Sequence, residues 1–159
     1  DRSAFFDCAI RGYQDTLYAH AHRQFYRNCE ISGTVDFIFG YSATVIQNSK
    51  IIIRKPDANQ QNIVVADGTD QKNMPTGVVL QNCEIMPEAE LQADRLTVKS
   101  YLARPWKAYS RAIFMENTID VKARVKWGKG VLTKADAMKY TANEWIQGGM
   151  WLPATGIPF

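Results

Sequence analysis

Two segments near the start of the chain each place one aspartate a few residues after a glycine. Asp15 lies in GYQDTLY, and Asp36 lies 21 residues further on, in GTVDFIFG. Two carboxyl groups that lie close together do not ionise equally, because the charge on one disfavours the charge on the other. Such a pair supplies one anionic nucleophile and one protonated acid. A ladder of aspartates that only caps turns is an equally open interpretation of these residues.

A third segment, LARPW, ends with Arg104, Pro105 and Trp106. An arginine can hold a carboxylate through two parallel hydrogen bonds, and a tryptophan offers a flat face on which a sugar can stack. The same three residues are also typical of a packed corner in a loop. Taken alone, the segment leaves the binding role and the packing role open.

The elements that would position these residues repeat along the chain. Five segments share the pattern polar, small, any residue, isoleucine. Their isoleucines are Ile10, Ile31, Ile51, Ile85 and Ile119. The spacings of 21, 20, 34 and 34 residues predict a parallel solenoid, in which each coil covers the apolar face of the next. Asp15 and Asp36 share the first spacing and should stack roughly 4.8 Å apart. The longer steps leave room for polar loops, at 54–76 and 86–110, over one face.

The end of the chain has a different pattern. Apolar residues recur at helical spacing over 133–147, with Thr133 as a candidate N-cap and Gly148 as the stop. We therefore predict one domain with β-helix coils and loops over 1–132. A single C-terminal helix over 133–147 is expected to pack outside the coils, followed by an irregular tail over 148–159.

The composition narrows the class of protein. The chain has 159 residues, of which 46% are hydrophobic, and a net charge of +3. This length is sufficient for one domain with its own core. No run approaches the roughly 18 apolar residues that span a membrane. A membrane is therefore not an expected partner. Lysine and arginine are scattered along the chain and form no cluster, so a nucleic acid is not an expected partner either.

The sequence gives no pattern for a metal or an organic cofactor. Cys8, Cys29 and Cys83 form no CxxC motif, and His20 and His22 have no third ligand at a suitable spacing. We expect the two histidines to have surface or packing roles. Cys8 and Cys29 occupy equivalent positions in the repeat, where stacked buried thiols are favoured over a disulfide.

The three candidate segments, taken together, resemble one family. GYQDTLY, GTVDFIFG and YLARPWKAYSR are similar to signature blocks of the plant pectin methylesterases, in the family's order, and QFYRNC and WLPATGIPF also resemble that family. The resemblance covers nearly the whole chain. It implies an all-β fold, a right-handed parallel β-helix. It also implies a secreted enzyme of the plant cell wall that acts on pectin without a cofactor.

The resemblance also implies a role for each candidate residue. Asp36 would be the nucleophile that attacks the C6 methyl ester of galacturonate, and Asp15 would be the acid and then the base. Gln14 would donate a hydrogen bond to the oxyanion. Arg104 would keep Asp36 ionised and oriented, and Trp106 would line the sugar cleft.

Four features depart from the family pattern. The family has further coils before the first residue, with a second glutamine of the oxyanion site, so N-terminal coils are expected to be missing here. After Ile119 the chain runs almost directly into the block at 124–127, which indicates an internal deletion. Ala103 replaces a usual glycine and would be strained if its φ were positive. Ser49 replaces a cysteine that would face Cys83.

Two other functions compete with the esterase. One is a catalytically inactive relative that binds homogalacturonan or a proteinaceous pectin methylesterase inhibitor, which is in any case a second expected partner. The other is a different β-helix carbohydrate enzyme, such as a lyase or a polygalacturonase. Lyases and polygalacturonases depend on calcium sites, basic catalytic residues or further aspartate clusters, none of which the sequence contains.

Overall fold

The structure is a computed structural model that describes residues 1–120 and 132–159. Its strands are short and pair in parallel into three sheets. Sheet 1 contains β1 (Ser3–Phe6), β4 (Arg23–Arg27), β7 (Ala43–Gln47), β10 (Gly77–Gln81) and β13 (Ala112–Met115). Sheet 2 contains β2 (Ala9–Arg11), β5 (Glu30–Gly33), β8 (Lys50–Ile53), β11 (Glu84–Pro87) and β14 (Thr118–Ile119). Sheet 3 contains β3 (Leu17–Ala19), β6 (Ile38–Gly40), β9 (Asn62–Asp67) and β12 (Ser100–Pro105).

Each of the first four coils contributes one strand to each sheet, and β13 and β14 begin a fifth coil, so the fold is a parallel β-helix, as predicted. The register follows the repeat. In sheet 2, Ile10 lies opposite Ile31, Ile31 opposite Ile51, Ile51 opposite Ile85, and Ile85 opposite Ile119. This ladder faces the interior, where apolar side chains from all three sheets form one core. The isoleucine spacing therefore predicted the stacking of coils correctly.

The corner between sheet 1 and sheet 2 has two residues in every coil. The first of the two always has a left-handed backbone, with φ between 52° and 58°. These residues are Asp7, Asn28, Asn48, Asn82 and Glu116. Asparagine and aspartate tolerate this conformation better than most residues, which explains the polar position at the start of the repeat pattern.

The second corner residue points inward. Cys29 and Cys83 are buried, Cys8 is half-buried, and all three are free thiols. The prediction of thiols at Cys8 and Cys29 agrees with this, although Cys8 is less buried than expected. Ser49 lies between Cys29 and Cys83 in this ladder, and its hydroxyl accepts the N–H of Cys29 at 3.0 Å. Burial raises the pKa of Cys83 to about 11, which makes this thiol a poor nucleophile.

The stretches at 54–76 and 86–110 are not loops throughout. Each contains a strand of sheet 3, β9 in the first and β12 in the second. The second also contains the short helix α1 (Ala89–Gln92). All six residues of β9 are buried. This strand therefore contributes to the core, although the isoleucine repeat does not predict it.

The C-terminal segment packs on the outer face of sheet 1, where Ile146 and Leu152 form one buried cluster with Phe25 and Val45. The predicted single helix over 133–147 is wrong, because the chain forms several short helical turns. They are α2 (Lys134–Ala137), α3 (Ala142–Trp145) and the 3₁₀ helices Met138–Tyr140, Gly148–Met150 and Leu152–Thr155.

The break in the predicted helix has a local cause. Thr141 has an extended backbone, with φ −67° and ψ 160°, and its hydroxyl donates to the carbonyl of Met138 at 3.1 Å. The N-cap prediction holds, since the side chain of Thr133 accepts the N–H of Asp136. The predicted deletion falls almost wholly on 121–131, outside the described residues.

Candidate active site

Asp15 and Asp36 lie on adjacent coils, each at the turn from sheet 2 into sheet 3. The N–H of Asp15 donates to the carbonyl of Val35 at 3.0 Å, and the register continues with Leu17 opposite Ile38. Both aspartates have left-handed backbones, with φ of 56° and 52°. The structure therefore places the two predicted carboxylates in the stacked arrangement that their 21-residue spacing indicated.

Gly33 makes this close stacking of turns possible. A Cβ at this position would lie 2.3 Å from the Cβ of Phe37 and 2.6 Å from Oγ1 of Thr16. That hydroxyl instead donates to the carbonyl of Ser32 at 3.0 Å, which ties the first coil to the second. The glycine in GTVDFIFG is thus required by packing beside the carboxylates.

Arg104 binds Asp36 through both arms of its guanidinium group. Nε donates to Oδ1 of Asp36 at 2.7 Å, and Nη2 donates to Oδ2. These hydrogen bonds raise the pKa of Arg104. The side chain of Asp36 is 14% exposed, so the pair lies at the edge of solvent rather than in it. A partly buried carboxylate held by two parallel hydrogen bonds has one fixed orientation.

Asp15 has the opposite electrostatic environment. Partial removal from water, and then the negative charge of Asp36, raise the pKa of the Asp15 carboxyl, and the positive charge of Arg104 opposes them only in part. Asp15 therefore binds a proton more readily than a free aspartate does. The two aspartates on adjacent coils therefore differ. Arg104 holds the carboxylate of Asp36, and the carboxyl of Asp15 can carry a proton.

Arg54 fixes the segment that precedes Asp15, a role that sequence reasoning missed. Its Nη1 donates to the carbonyl of Gly12 at 3.0 Å, and its Nη2 donates to the hydroxyl of Tyr13 at 2.9 Å. The guanidinium carbon also lies 3.9 Å from the centre of the Tyr13 ring. Glu88 accepts from Nε at 3.1 Å and so orients the arginine.

Trp106 belongs to an exposed aromatic face, defined as the outward rings of Tyr18, Phe39 and Trp106. The rings of Tyr18 and Phe39 stack with centroids 4.6 Å apart, and the ring of Trp106 meets that of Phe39 edge-on at 6.2 Å. Trp106 lies against the backbone of Gly68, where a Cβ would be 2.7 Å from its ring. The alternation of Tyr18 and Phe39 with buried neighbours could have indicated this face.

The remaining features singled out in the sequence are Gln14, Ala103 and His20. Gln14 is exposed beside Asp15. Ala103 lies within β12 and is not among the residues with positive φ, so the expected strain is absent at this position. His20 is exposed and hydrogen-bonds with the hydroxyl of Tyr41, which agrees with the expected surface or packing role.

Residues 1–120 and 132–159 contain no group of three or more histidine, cysteine, aspartate or glutamate side chains arranged to hold a metal ion. Across the same part of the chain, no helix has both the length and the apolar character needed to cross a bilayer.

Comparison with known proteins identifies the family. The family model described as Pectinesterase matches residues 1–122. This chain belongs to the pectinesterase family. The match contains every residue of the aspartate pair, the arginine and the aromatic face.

Individual relatives of the pectinesterase family agree with this assignment. The chain is 38% identical to pectinesterase 2 of Citrus sinensis, over all of this chain and 38% of that protein. It is 39% identical to pectinesterase/pectinesterase inhibitor 3 of Arabidopsis thaliana, over all of this chain and 33% of that protein. The pectin methylesterase from carrot matches in structure with a TM-score of 0.93 and 38% identity, over the whole chain and 61% of the carrot chain.

The relatives are longer than this chain. It spans about a third of the curated pectinesterases and less than two thirds of the carrot structure. The alignment with the Citrus protein covers 194 positions against the 159 residues present here. The relatives therefore contain positions that have no counterpart in this chain.

Proposed function

We propose that this chain carries the reaction centre of a pectin methylesterase, which hydrolyses C6 methyl esters of galacturonate in pectin to carboxylate and methanol. The observation that carries the proposal is the bidentate pairing of Asp36 with Arg104 beside Asp15, whose pKa is raised. Membership of the pectinesterase family supports the substrate class.

In the first step, an oxygen of Asp36 attacks the ester carbonyl carbon and forms a tetrahedral oxyanion. Gln14 is next to Asp15 in sequence and is exposed, and in this proposal its side-chain amide donates to that oxyanion. The bond from carbon to the methoxy oxygen then breaks. Asp15 gives its proton to this oxygen, and methanol leaves a covalent anhydride between galacturonate and Asp36.

In the second step, water attacks the acyl carbon of the anhydride. Asp15, now ionised, accepts a proton from the water. The bond to Asp36 breaks, which restores its carboxylate and releases the free galacturonate. Arg104 keeps Asp36 oriented through both steps, and the exposed ring of Trp106 supports the sugar next to the reacting ester.

The test is methanol release from highly methylated pectin by the purified chain, with Asp36→Asn as the matched variant. We expect release from the parent chain and none above background from Asp36→Asn, with both proteins folded by circular dichroism. Equal release from the two proteins would contradict the assignment of Asp36.

A second candidate is a pectin-binding or inhibitor-binding relative without catalysis. The observation that favours it is the length, because the relatives have positions with no counterpart here. Loss of a single oxyanion donor costs about 100- to 1000-fold in rate. A folded parent chain that binds pectin and releases no methanol would favour this candidate.

The site of action and the partners follow from the same proposal. A methylesterase of this class would meet homogalacturonan in the plant cell wall, so we propose a secreted, extracellular location. A proteinaceous inhibitor is the second proposed partner, and a relative carries the word inhibitor in its name. Size-exclusion chromatography with a purified inhibitor tests this interaction.

A further inference from the structure

Asp67 has no part in the proposed reaction, yet it lies next to the strand that carries Arg104. It is the last residue of β9, and in sheet 3 it lies opposite Pro105, the residue after Arg104. Its side chain is fully buried. An aspartate is almost never fully buried without a partner, because burial of a charge costs folding free energy unless hydrogen bonds offset it. The partners of Asp67 therefore indicate what this residue does.

Asp67 holds both ends of the loop that begins at Trp106 and ends at Arg111. Its carbonyl accepts the N–H of Trp106 at 3.2 Å, and its Oδ2 accepts the N–H of Arg111 at 2.8 Å. Between these two points, the N–H of Tyr109 donates to the carbonyl of Thr69 at 3.0 Å. The main chain and the side chain of one residue thus fix the beginning and the end of the loop.

Oδ2 makes the hydrogen bonds of the Asp67 carboxyl group. It also accepts the N–H of Thr69 at 3.2 Å, and the hydroxyl of Thr69 hydrogen-bonds with that of Thr76 at 2.8 Å. Oδ1 has no hydrogen-bond partner within the described residues. Asp67→Ala would leave the N–H groups of Thr69 and Arg111 without this acceptor, which costs free energy where such groups are buried. The loop should then lose the contact that fixes its end.

The ring of Trp106 lies on the backbone of the residue that follows Asp67. A Cβ on Gly68 would lie 2.7 Å from Cε3 and 2.9 Å from Cζ3 of Trp106. The N–H of Gly68 donates to the carbonyl of Gly40 at 2.6 Å, so the backbone under the ring is bound to the preceding coil. Trp106 is itself exposed. An exposed ring is thus held by the backbone beneath it and by the loop that Asp67 fixes.

We propose that Asp67 is a positioning residue, which holds Trp106 against Gly68 in the place where its ring supports the sugar chain. The inference rests on the proposed function for its substrate, a chain of galacturonates. Because the carboxyl group of Asp67 is fully buried, it acts through Trp106 and not on the substrate. Arg104 is held separately, by both oxygens of Asp36, so loss of the Asp67 carboxyl should weaken binding more than the chemical step.

Binding of an unesterified oligogalacturonate, which carries no ester to be hydrolysed, tests this role by isothermal titration calorimetry. We expect Asp67→Ala to lose about three- to tenfold in affinity. Asp67→Asn keeps an acceptor oxygen for the N–H of Arg111 and should bind like the parent. In the methanol assay, Asp67→Ala should raise KM by a similar factor, with kcat within about twofold of the parent.

A double-mutant cycle with Trp106→Ala separates positioning from a general loss of structure. If Asp67 acts through Trp106, then Asp67→Ala should cause no further loss of affinity in the Trp106→Ala background. Gly68→Ala is a second route to the same displacement, because it leaves the carboxyl group in place and puts a methyl group where the ring lies. It should lose affinity by a factor similar to that of Asp67→Ala.

The matched control is Asp70→Ala, at an exposed aspartate three residues further on, which should bind like the parent. The positioning role would be overturned by an undiminished loss from Asp67→Ala in the Trp106→Ala background, or by parental affinity in Gly68→Ala. The second outcome decides the question even if Asp67→Ala does not fold. A folded parent chain that binds no oligomer would also overturn it. A parent that binds the oligomer and releases no methanol would contradict the esterase proposal alone.

Discussion

Asp36 and Arg104 are 68 residues apart in sequence, yet the arginine binds both oxygens of the carboxylate. One coil of the β-helix, which contains β9, lies between them, and Ala66 of that strand occupies the position next to Arg104 in sheet 3. On the other side of Ala66, in β6, lies Phe39, which is three residues after Asp36. Stacking of coils thus brings a distant arginine to the carboxylate.

This geometry predicts the effect of Arg104→Lys. A lysine retains the charge but cannot form two parallel hydrogen bonds, so Asp36 would lose its fixed orientation. We expect kcat for methanol release to fall on the order of 10- to 100-fold, with the thermal unfolding midpoint little changed. Arg95→Lys, at an exposed loop position, is the control. Parental activity in Arg104→Lys would show that charge alone is sufficient.

Arg54 provides a second prediction, on the ordering of the turn before Asp15. Arg54→Gln removes the contacts with Gly12 and Tyr13, so this turn should open more often. We expect lower kcat and faster amide hydrogen exchange at Asp15 and Thr34, whose N–H groups donate to Val35 and Tyr13.

The neighbouring Lys55→Gln is the matched control for Arg54→Gln, because Lys55 pairs with Asp94 and not with the Asp15 turn. Its exchange at Asp15 should equal that of the parent. Unchanged exchange in Arg54→Gln would mean that the turn is held by its backbone hydrogen bonds alone.

Asp67 provides a pH prediction. The residue is fully buried, and burial raises its pKa, although the N–H groups of Arg111 and Thr69 donate to Oδ2 at 2.8 and 3.2 Å. Its Oδ1 has no hydrogen-bond partner within the described residues. The folded state therefore holds the proton more tightly than the unfolded state does. The resulting stability is fully present below the unfolded pKa of about 3.9 and is lost as pH rises through the folded value.

Asp67→Asn should remove this loss, because asparagine keeps the acceptor oxygen and carries no charge. We expect a higher free energy of unfolding than the parent at pH 7, by about 1.4 kcal/mol for each unit of pKa difference, and a smaller gain near pH 4. Urea denaturation at both pH values measures it, with the exposed Asp70→Asn as control. A gain that does not depend on pH would contradict the buried charge as its cause.

Ser49 and Cys83 provide a prediction on stability. Both are buried at equivalent corners of neighbouring coils, 34 residues apart in sequence. Adjacent strands place such positions about 4.8 Å apart, within the Cα separation of a disulfide. Ser49→Cys should form a bridge to Cys83 and stabilise the chain by about 2–4 kcal/mol.

Thermal unfolding of Ser49→Cys with and without reductant measures this gain, and mass spectrometry of peptides identifies the bridge. The double variant Ser49→Cys, Cys83→Ser is the control and should lose the effect of reductant. A bridge to Cys29, which lies on the other side of Ser49 in the same register, would contradict the predicted pairing with Cys83.

The isoleucine ladder and the stacking of Asp15 on Asp36 could be predicted from sequence, because both repeat at the coil length. The pairing of Asp36 with Arg104 could not be derived from spacing and came only from family resemblance. Strand β9 was missed because its short apolar run lies between long polar stretches. The helix over 133–147 was predicted as continuous because apolar spacing does not reveal the extended backbone at Thr141.

The two-residue corner between sheets 1 and 2 has a consequence for how such a chain can change. Coils of 20 and 34 residues stack in the same ladder, since the added residues enter on either side of sheet 3 and never at this corner. Lengthening those loops costs only slowly growing closure entropy. The surface formed by these loops can therefore diversify while the stacked coils retain their alignment.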